Sequence, residues 1–186
     1  MTWQVTRRLL GQPVGLTEAA TALPAGPGIY AWWARPEVLA EFAGLTNPVA
    51  NELRLLYLGL ATNLQRRIAI NHLKQSGSST LRRTLAGLLL NEQGYRTSWT
   101  DRVVLVPEDE ARLTAWMTEH LRLTWAEHPN PSAVETDLIV SLAPPLNVKG
   151  AARGAVRDRI SAAKRAYRAS AGPRPAAAGT GTLSAR

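Results

Sequence analysis

Two short apolar runs each carry a tyrosine, and a pair of arginines and a histidine follow the second run. The runs are GIYAWW at 28–33 and LLYLGL at 55–60, and the basic residues lie in ATNLQRRIAINH at 61–72. The guanidinium group of arginine stays charged and can donate two parallel hydrogen bonds to a phosphate. A tyrosine hydroxyl has a usual pKa of about 10 and acts as a base only with help from nearby cations. Brought together, side chains of these types would form a phosphate-binding site.

The residue pattern predicts elements that would bring these side chains together. Two strands are expected, GIYAWWA at 28–34 and LRLLYLGL at 53–60, because bulky apolar and aromatic residues suit a pleated sheet. Asn63 is a suitable N-cap for a helix that runs to about Leu73. If the two strands pair antiparallel, both tyrosines point to the same side of the sheet and the helix places one arginine of the pair above them.

The rest of the pattern predicts a small α+β domain. RVVLV at 102–106 is expected to be a third strand. Further helices are expected at 37–43, from Ser78 or Ser79 to about Gly94, at 109–127, at 133–142 and at 152–169. The fold class is therefore α+β, a small, mainly antiparallel three-stranded sheet flanked by helices, with an added basic helix near the C-terminus. In the first strand, either Trp32 or Trp33 is expected to face outward and could stack on a base.

Composition limits the classes of protein. The chain has 186 residues, of which 45% are apolar, so one core is expected. Cysteine is absent, which excludes disulfide scaffolds and cysteine-ligated zinc sites. No apolar run approaches the ~20 residues of a membrane span, and the first residues lack the pattern of a signal peptide. A cytoplasmic protein without a membrane partner is the expectation.

The positive charge is concentrated near the C-terminus. Between 151 and 186 a single acid, Asp158, accompanies eight basic residues: Arg153, Arg157, Arg159, Lys164, Arg165, Arg168, Arg174 and Arg186. A basic arm on a nearly neutral body predicts a polyanion partner, because each phosphate contact releases counterions. A solvated arm that keeps the protein in solution explains the same charge equally well.

Three blocks of the sequence resemble the GIY-YIG nuclease superfamily. They are GIY at 28–30, YLG at 57–59 running into GLATNLQRR, and VETDLIVSLAPPLN at 134–147. Their order and internal spacings match the family pattern: Arg67 lies three residues after the leucine of NL, and Glu135 precedes a proline by nine residues and Asn147 by twelve. One block alone would be a weak signal, but three blocks with these spacings indicate the family.

The resemblance implies a phosphodiesterase that cuts nucleic acid, DNA in the first instance, with one Mg²⁺ or Mn²⁺ ion. Glu135 would be the metal ligand, Arg67 would hold the scissile phosphate, and one tyrosine would take a proton from the attacking water while the other orients it. The implied catalytic residues are Tyr30, Tyr57, Arg67, His72 and Glu135. The expected nucleic-acid contacts are Arg66, Lys74, Arg82, Arg83 and Asn147, the last also bracing the site.

Two positions depart from the family pattern. Leu60 stands where some members place an assisting lysine, and Asn71 stands where a histidine or tyrosine is common. His72 follows immediately, but one residue is ~100° of rotation on an α-helix. We therefore expect His72 to reach the site only if the helix tightens or ends there.

Several alternatives stay open at this point. The fold could be a non-catalytic nucleic-acid-binding protein, or the nuclease could act on RNA, and each site residue has an ordinary structural role as its alternative. Specificity would come from the nuclease domain itself or from an unidentified targeting protein. The expected organisation is an N-terminal segment at 1–25, the nuclease domain at 26–150 with an insertion around 74–130, a basic helix at 151–171 and a disordered tail at 172–186.

Overall fold

The computed structural model describes residues 2–42, 44–148 and 154–175. Its elements follow in the order α1 (Thr2–Leu9), β1 (Val14–Gly15), α2 (Leu16–Ala22), β2 (Gly28–Ala34), β3 (Arg54–Ala61), α3 (Leu64–Arg66) continuing as a π-helical stretch (Arg67–His72), α4 (Thr80–Leu88), α5 (Leu90–Gln93), β4 (Thr97–Trp99), β5 (Val103–Leu105), α6 (Pro107–His120), β6 (Leu121–Glu127), α7 (Ser132–Leu142) and α8 (Ala155–Ala169). In these ranges, no helix is long and apolar enough to cross a membrane.

An antiparallel sheet with the strand order β1-β6-β2-β3 forms the centre of the fold. The two strands expected around the tyrosines are confirmed, and they pair with Tyr30 opposite Gly59 and Trp32 opposite Tyr57. Residues directly opposite one another in an antiparallel pair project to the same face. Both tyrosines therefore lie on one face of the sheet, as the pattern predicted.

Helices cover both faces of this sheet, so the expectation of an outward tryptophan is wrong. All seven residues of β2 are buried, and Trp32 and Trp33 are both inaccessible to solvent. Trp33 Nε1 donates a hydrogen bond of 2.9 Å to Thr124 Oγ1 on the neighbouring strand. Neither tryptophan is available to stack on a base.

The α+β class is confirmed, but the central sheet has four strands and not the three expected, and its strand β6 is not the third strand that the pattern predicts. Residues 121–127, predicted as the end of a long helix, form β6 and pair along their whole length with β2. In LRLTWAE, Leu121, Leu123, Thr124 and Ala126 are buried, so the alternation of burial breaks between Leu123 and Thr124. The leucines and the tryptophan also fit one face of a helix, and pairing with β2 selects the strand.

The expected strand at 102–106 forms a separate hairpin instead. Val103–Leu105 (β5) pairs antiparallel with Thr97–Trp99 (β4), outside the central sheet. The predicted helix at 37–43 is a 3₁₀ turn at Pro36–Leu39 followed by irregular chain, and Ala43 lies outside the described residues. The helix at 133–142 is confirmed as Ser132–Leu142.

The basic helix α8 packs closely against α4. Ile160, Ala163 and Tyr167 are its buried residues. A Cβ added to Gly87 on α4 would lie 2.5 Å from the carbonyl oxygen of Ala163, so only glycine permits this approach. Of the helix and tail expected at 152–186, residues 152–153 and 176–186 lie outside the described residues.

Candidate active site

Tyr30 lies on the face of the sheet that the π-helical stretch covers, and it is fully buried. Its ring stands over Gly59, where an added Cβ would collide with the tyrosine hydroxyl. The glycine of YLG is therefore needed so that the tyrosine of GIY can lie flat against its partner strand. The ring centroids of Tyr30 and Tyr57 are 6.5 Å apart, so the strands do bring the two tyrosines together.

Arg67 is held above the tyrosines by two hydrogen bonds. Its Nε donates to Tyr30 Oη at 3.2 Å, and one terminal nitrogen donates to the carbonyl oxygen of Ser78 at 3.1 Å. Asn63 accepts a hydrogen bond from the backbone N–H of Arg66 and so starts the helix as predicted. The neighbouring Arg66 is exposed and points away from the tyrosines' hydrogen-bond network.

The helix widens after Arg67, and this widening brings His72 into the site. The backbone N–H of Leu73 bonds to the carbonyl oxygen of Ile68, five residues earlier, which is the π-helical pattern. On a regular α-helix Arg67 and His72 would be ~140° apart. We expected the helix to tighten or end here, and that reason is wrong because the helix loosens. Such π-helical bulges occur frequently at functional sites.

His72 links Tyr30 to Ser79 through its two ring nitrogens. Nε2 lies 2.7 Å from Tyr30 Oη, and Nδ1 lies 2.7 Å from Ser79 Oγ. Because Tyr30 Oη already accepts a hydrogen bond from Arg67, its own hydrogen is directed to His72. The tautomer that satisfies these contacts carries its hydrogen on Nδ1 and leaves Nε2 as the acceptor.

Burial sets the protonation of this pair. Burial lowers the pKa of His72 well below 6.5, and the nearby Arg67 and Arg82 lower it further, so the ring is neutral. Burial raises the pKa of Tyr30, and the neighbouring Tyr57 raises it further, against the lowering effect of Arg67. Tyr30 is therefore a protonated hydrogen-bond donor in the free protein.

Tyr57 and Glu135 face a common cavity of about 620 Å³, which we call the Glu135 cavity. Its polar wall includes Tyr57, Thr80, Glu135, Asn147, Arg157 and Lys164. Glu135 lies in the first turn of α7 and is half-buried. Within the described ranges, its carboxylate has no hydrogen-bond or ion-pair partner.

The surroundings of Tyr57 act on its pKa in opposite directions. Burial is the largest effect and raises the pKa, Arg67 lowers it, and the negative charge of Glu135 raises it. Unlike Tyr30, Tyr57 is only half-buried and lines the cavity. Of the two tyrosines, Tyr57 is thus the one that a ligand in the cavity would meet.

Asn147 braces the sheet through its side-chain amide. Its Nδ2 donates to the carbonyl oxygen of Leu58 at 2.8 Å, and its Oδ1 accepts from the backbone N–H of the same residue at 2.9 Å. These bonds continue the hydrogen bonding of β3 beyond its edge next to Tyr57. The bracing role expected of Asn147 thus has its bonds in the structure, and its contact with nucleic acid stays a prediction because the residue also lines the Glu135 cavity.

Arg82 was expected to contact nucleic acid, and its burial corrects that expectation. The side chain is inaccessible to solvent and forms an ion pair with Glu110 at 2.7 Å. It also donates hydrogen bonds to the carbonyl oxygen of His72 and to Thr114 Oγ1, both at 3.0 Å. Every part of the guanidinium group is thus occupied inside the protein.

The remaining expected contacts lie on the surface around the site. Arg66 lines a cavity of about 450 Å³ together with Arg67 and Asn71. Lys74 is exposed one turn beyond it. Arg83 is half-buried and donates to the carbonyl oxygens of Ser76 and Gly77 at 2.6 and 2.9 Å. These positions leave their role in nucleic-acid binding a prediction.

Comparison with known families decides the classification. The family model for the GIY-YIG catalytic domain matches residues 28–166. The chain belongs to the GIY-YIG family. It is accordingly a nuclease, and nucleases of this family act on nucleic acid and generally depend on a divalent metal. No curated protein and no solved structure matches the chain.

The GIY-YIG match extends into α8, so this helix belongs to the matched region. Sequence reasoning had set it apart as an added arm and had not assigned Thr80 or Lys164 to the wall of the Glu135 cavity. It also missed the second role of Ser79, which caps α4 through Arg82 N–H and contacts His72 through the same oxygen. The signal for Ser79 was its capping position, which fixes where its oxygen points.

The donor set of the Glu135 cavity fits Mg²⁺ or Mn²⁺. Mg²⁺ usually keeps several water ligands and binds through one or two carboxylates and the phosphate oxygens of a substrate. The Glu135 carboxylate, which has no protein partner among the described residues, suits this kind of coordination. In the part of the chain that the structure describes, no group of three or more histidine, aspartate or glutamate side chains offers a different metal site. Glu135 is thus the residue that would hold the ion.

Proposed function

We propose that this chain is a divalent-metal-dependent endonuclease that hydrolyses phosphodiester bonds in DNA at the Glu135 cavity. The observation that carries the proposal is the convergence of a carboxylate without a partner and a tyrosine on one cavity, with an anchored arginine close enough to lower the pKa of that tyrosine. Nuclease membership comes from the family; the substrate, the metal and the roles below are our proposals.

Arg67 binds the scissile phosphate and stabilises the charge that develops on it. Its hydrogen bonds to Tyr30 and to the Ser78 carbonyl oxygen fix the guanidinium group before substrate arrives. A donor fixed in advance needs no reorganisation when negative charge appears. Tyr30 and His72 therefore act by positioning Arg67.

Tyr57 accepts the proton of the attacking water as the phenolate, after its own phenolic proton has passed to solvent through the cavity that it borders. Tyr30 is enclosed and its hydroxyl is occupied by Arg67 and His72, whereas Tyr57 borders the cavity. Bound at Glu135, Mg²⁺ would neutralise the carboxylate that raises the pKa of Tyr57 and polarise the phosphate. The pKa of Tyr57 is raised overall, chiefly by burial, so the phenol is the resting form, and the positive charge of Arg67 acts against that rise.

The apolar part of the cavity wall favours DNA over RNA. Ile139, Val140, Leu146 and Val148 line it next to Glu135. A ribose 2′-hydroxyl placed against these side chains would lose its hydrogen bonds to water without a replacement, which costs free energy. Deoxyribose carries no such group, and contact with the 2′-hydroxyl is how proteins distinguish the two polymers.

The test is cleavage of DNA and RNA of the same sequence, each with Mg²⁺, Mn²⁺ or EDTA. We expect DNA to be cut with either metal and to stay intact in EDTA. Faster cleavage of the RNA would contradict the proposed substrate. Binding of DNA without cleavage, under all three conditions, would favour the non-catalytic alternative.

A further inference from the structure

A second cavity adjoins the Glu135 cavity, and we call it the cation cavity. It has a volume of about 420 Å³ and lies between α4, the β4–β5 hairpin and α8. The two cavities share Thr80 and Lys164 as wall residues. The two cavities therefore meet at these two side chains.

The cation cavity holds more positive charge than the protein balances. Its lining includes four cations and one carboxylate: Arg83, Arg102, Lys164, Arg168 and Asp101. Asp101 is paired with Arg102 at 2.8 Å. Lys164 and Arg168 have no hydrogen-bond or ion-pair partner among residues 2–42, 44–148 and 154–175. Arg83 donates only to neutral oxygens, two backbone carbonyls and the Thr80 hydroxyl.

These cations act on one another. Burial lowers the pKa of Lys164, and Arg168 and Arg83 lower it further. Burial likewise lowers the pKa of Arg83. Arg102 and Arg168 lower it further, whereas Tyr167 raises it. Like charges that line one cavity repel each other. An anion between them would offset this repulsion.

Close packing holds the cations in place. The approach of Ala163 to Gly87 fixes α8 on α4, so Lys164 and Arg168 project from a firmly packed helix. A solvated arm that served only to keep the protein in solution would not require this contact. The position of the charge, directly next to the Glu135 cavity, instead suits an extended polyanion.

We propose that the cation cavity binds backbone phosphates of the strand that is cut, to one side of the scissile phosphate, through Lys164 and Arg168. This inference rests on the proposed function, because the Glu135 cavity supplies the point of cleavage. It adds the direction in which the strand leaves that point. It also gives α8 a role in substrate binding separate from the reaction itself.

The test compares two double variants of the full chain that lose the same charge. Lys164→Gln/Arg168→Gln removes the proposed contacts, and Arg165→Gln/Arg8→Gln removes two exposed arginines outside the cavity. Binding of a short DNA duplex is measured in EDTA over a range of salt concentrations. Losing two phosphate contacts should reduce the slope of log affinity against log salt by roughly 1.8, while the control keeps the wild-type slope.

An unchanged slope in Lys164→Gln/Arg168→Gln, or an equal loss in the control, would overturn the inference. Where wild type cuts DNA, the same variant should raise KM, and an unchanged KM would also overturn the inference. The two proposals fail separately. If wild type cuts DNA but the slope of Lys164→Gln/Arg168→Gln is unchanged, the proposed binding at the cation cavity is rejected. If the slope is reduced but wild type cuts no DNA, the proposed endonuclease activity is rejected and the phosphate-binding site is retained.

Discussion

Two polar networks lie side by side in the helical layer and differ in what they leave unpaired. In the first, Arg82 pairs with Glu110, and the same carboxylate accepts hydrogen bonds from Ser76. In the second, Arg67 and His72 enclose Tyr30, but Tyr57 and Glu135 border a cavity without a polar partner among the described residues. The networks meet at His72, whose ring bonds to Tyr30 and whose carbonyl oxygen accepts a hydrogen bond from Arg82.

The difference separates an arginine with a structural role from the arginine that we propose binds the scissile phosphate. A charge inside a protein must be paired, and a fully paired group has nothing left to offer a ligand. A site for an anion and a metal needs the opposite, fixed charges whose partners come from the substrate. Both networks centre on an arginine, so residue type does not distinguish their roles. Whether the charged group already has a partner inside the protein is the better guide.

Breaking the Arg82 network should cost stability. Arg82→Ala leaves Glu110 in a largely enclosed position without its counterion, and we expect a loss of about 3–5 kcal/mol in the free energy of unfolding. Urea denaturation of the variant beside wild type and Arg66→Ala measures this loss. A loss as small as that of the exposed Arg66→Ala would show that the buried pair is not structural.

Breaking the Arg67 network should cost activity. Arg67→Ala removes one donor fixed toward the developing charge, so kcat should fall ~10²- to 10³-fold with stability nearly unchanged. Arg66→Ala is the matched control on the same helix, and its kcat should stay within a few-fold of wild type. A larger effect at Arg66 would assign the phosphate to the wrong arginine.

The two tyrosines should differ in the same assay. Tyr57→Phe removes the proposed proton acceptor and should lower kcat by at least ~10²-fold. Tyr30→Phe removes one hydrogen bond that positions Arg67 and one to His72, each worth about 1 kcal/mol, so a loss of about tenfold is expected. If Tyr30→Phe is the more damaging substitution, the roles of the two tyrosines are reversed.

The buried histidine should make stability depend on pH. The pKa of His72 is well below 6.5 in the folded chain, so below that pH the unfolded chain binds a proton that the folded chain does not. Stability is thus retained above about pH 6.5 and falls below it by about 1.4 kcal/mol per pH unit. Urea denaturation between pH 5 and 7 of wild type and His72→Gln tests this, and an equal slope in the variant would exclude His72 as the cause.

The sequence predicted the elements that carry Tyr30, Tyr57 and Glu135 better than the rest of the sheet. The blocks around Tyr30, Tyr57 and Glu135 have short-range spacings, and the strands and helix that they predict fall within one or two residues of the observed ends. The strand β6 was not predicted because, over a short window, its apolar residues fit both a helix and a strand. Only pairing with β2 selects the strand. The outward tryptophan failed because one strand does not show whether a second layer covers its far face.

The environment of individual charged residues could not be predicted from the sequence. Arg82 and Arg83 are neighbours of the same type, yet one is enclosed with Glu110 and the other lines the cation cavity. The burial and the partners of these two arginines depend on α6 and α8, which are distant from them in the sequence. The position of His72 likewise depends on a local widening of the helix, for which the residues of that stretch gave no signal.

The most direct test is nicking of supercoiled plasmid by wild type, Glu135→Gln and Asp137→Asn with Mg²⁺ and with EDTA. Asp137 lies on the same helix and is exposed, so its substitution removes the same charge outside the cavity. We predict nicking by wild type and Asp137→Asn that requires Mg²⁺, and none by folded Glu135→Gln. Undiminished nicking by Glu135→Gln would contradict the assignment of the Glu135 cavity as the active site.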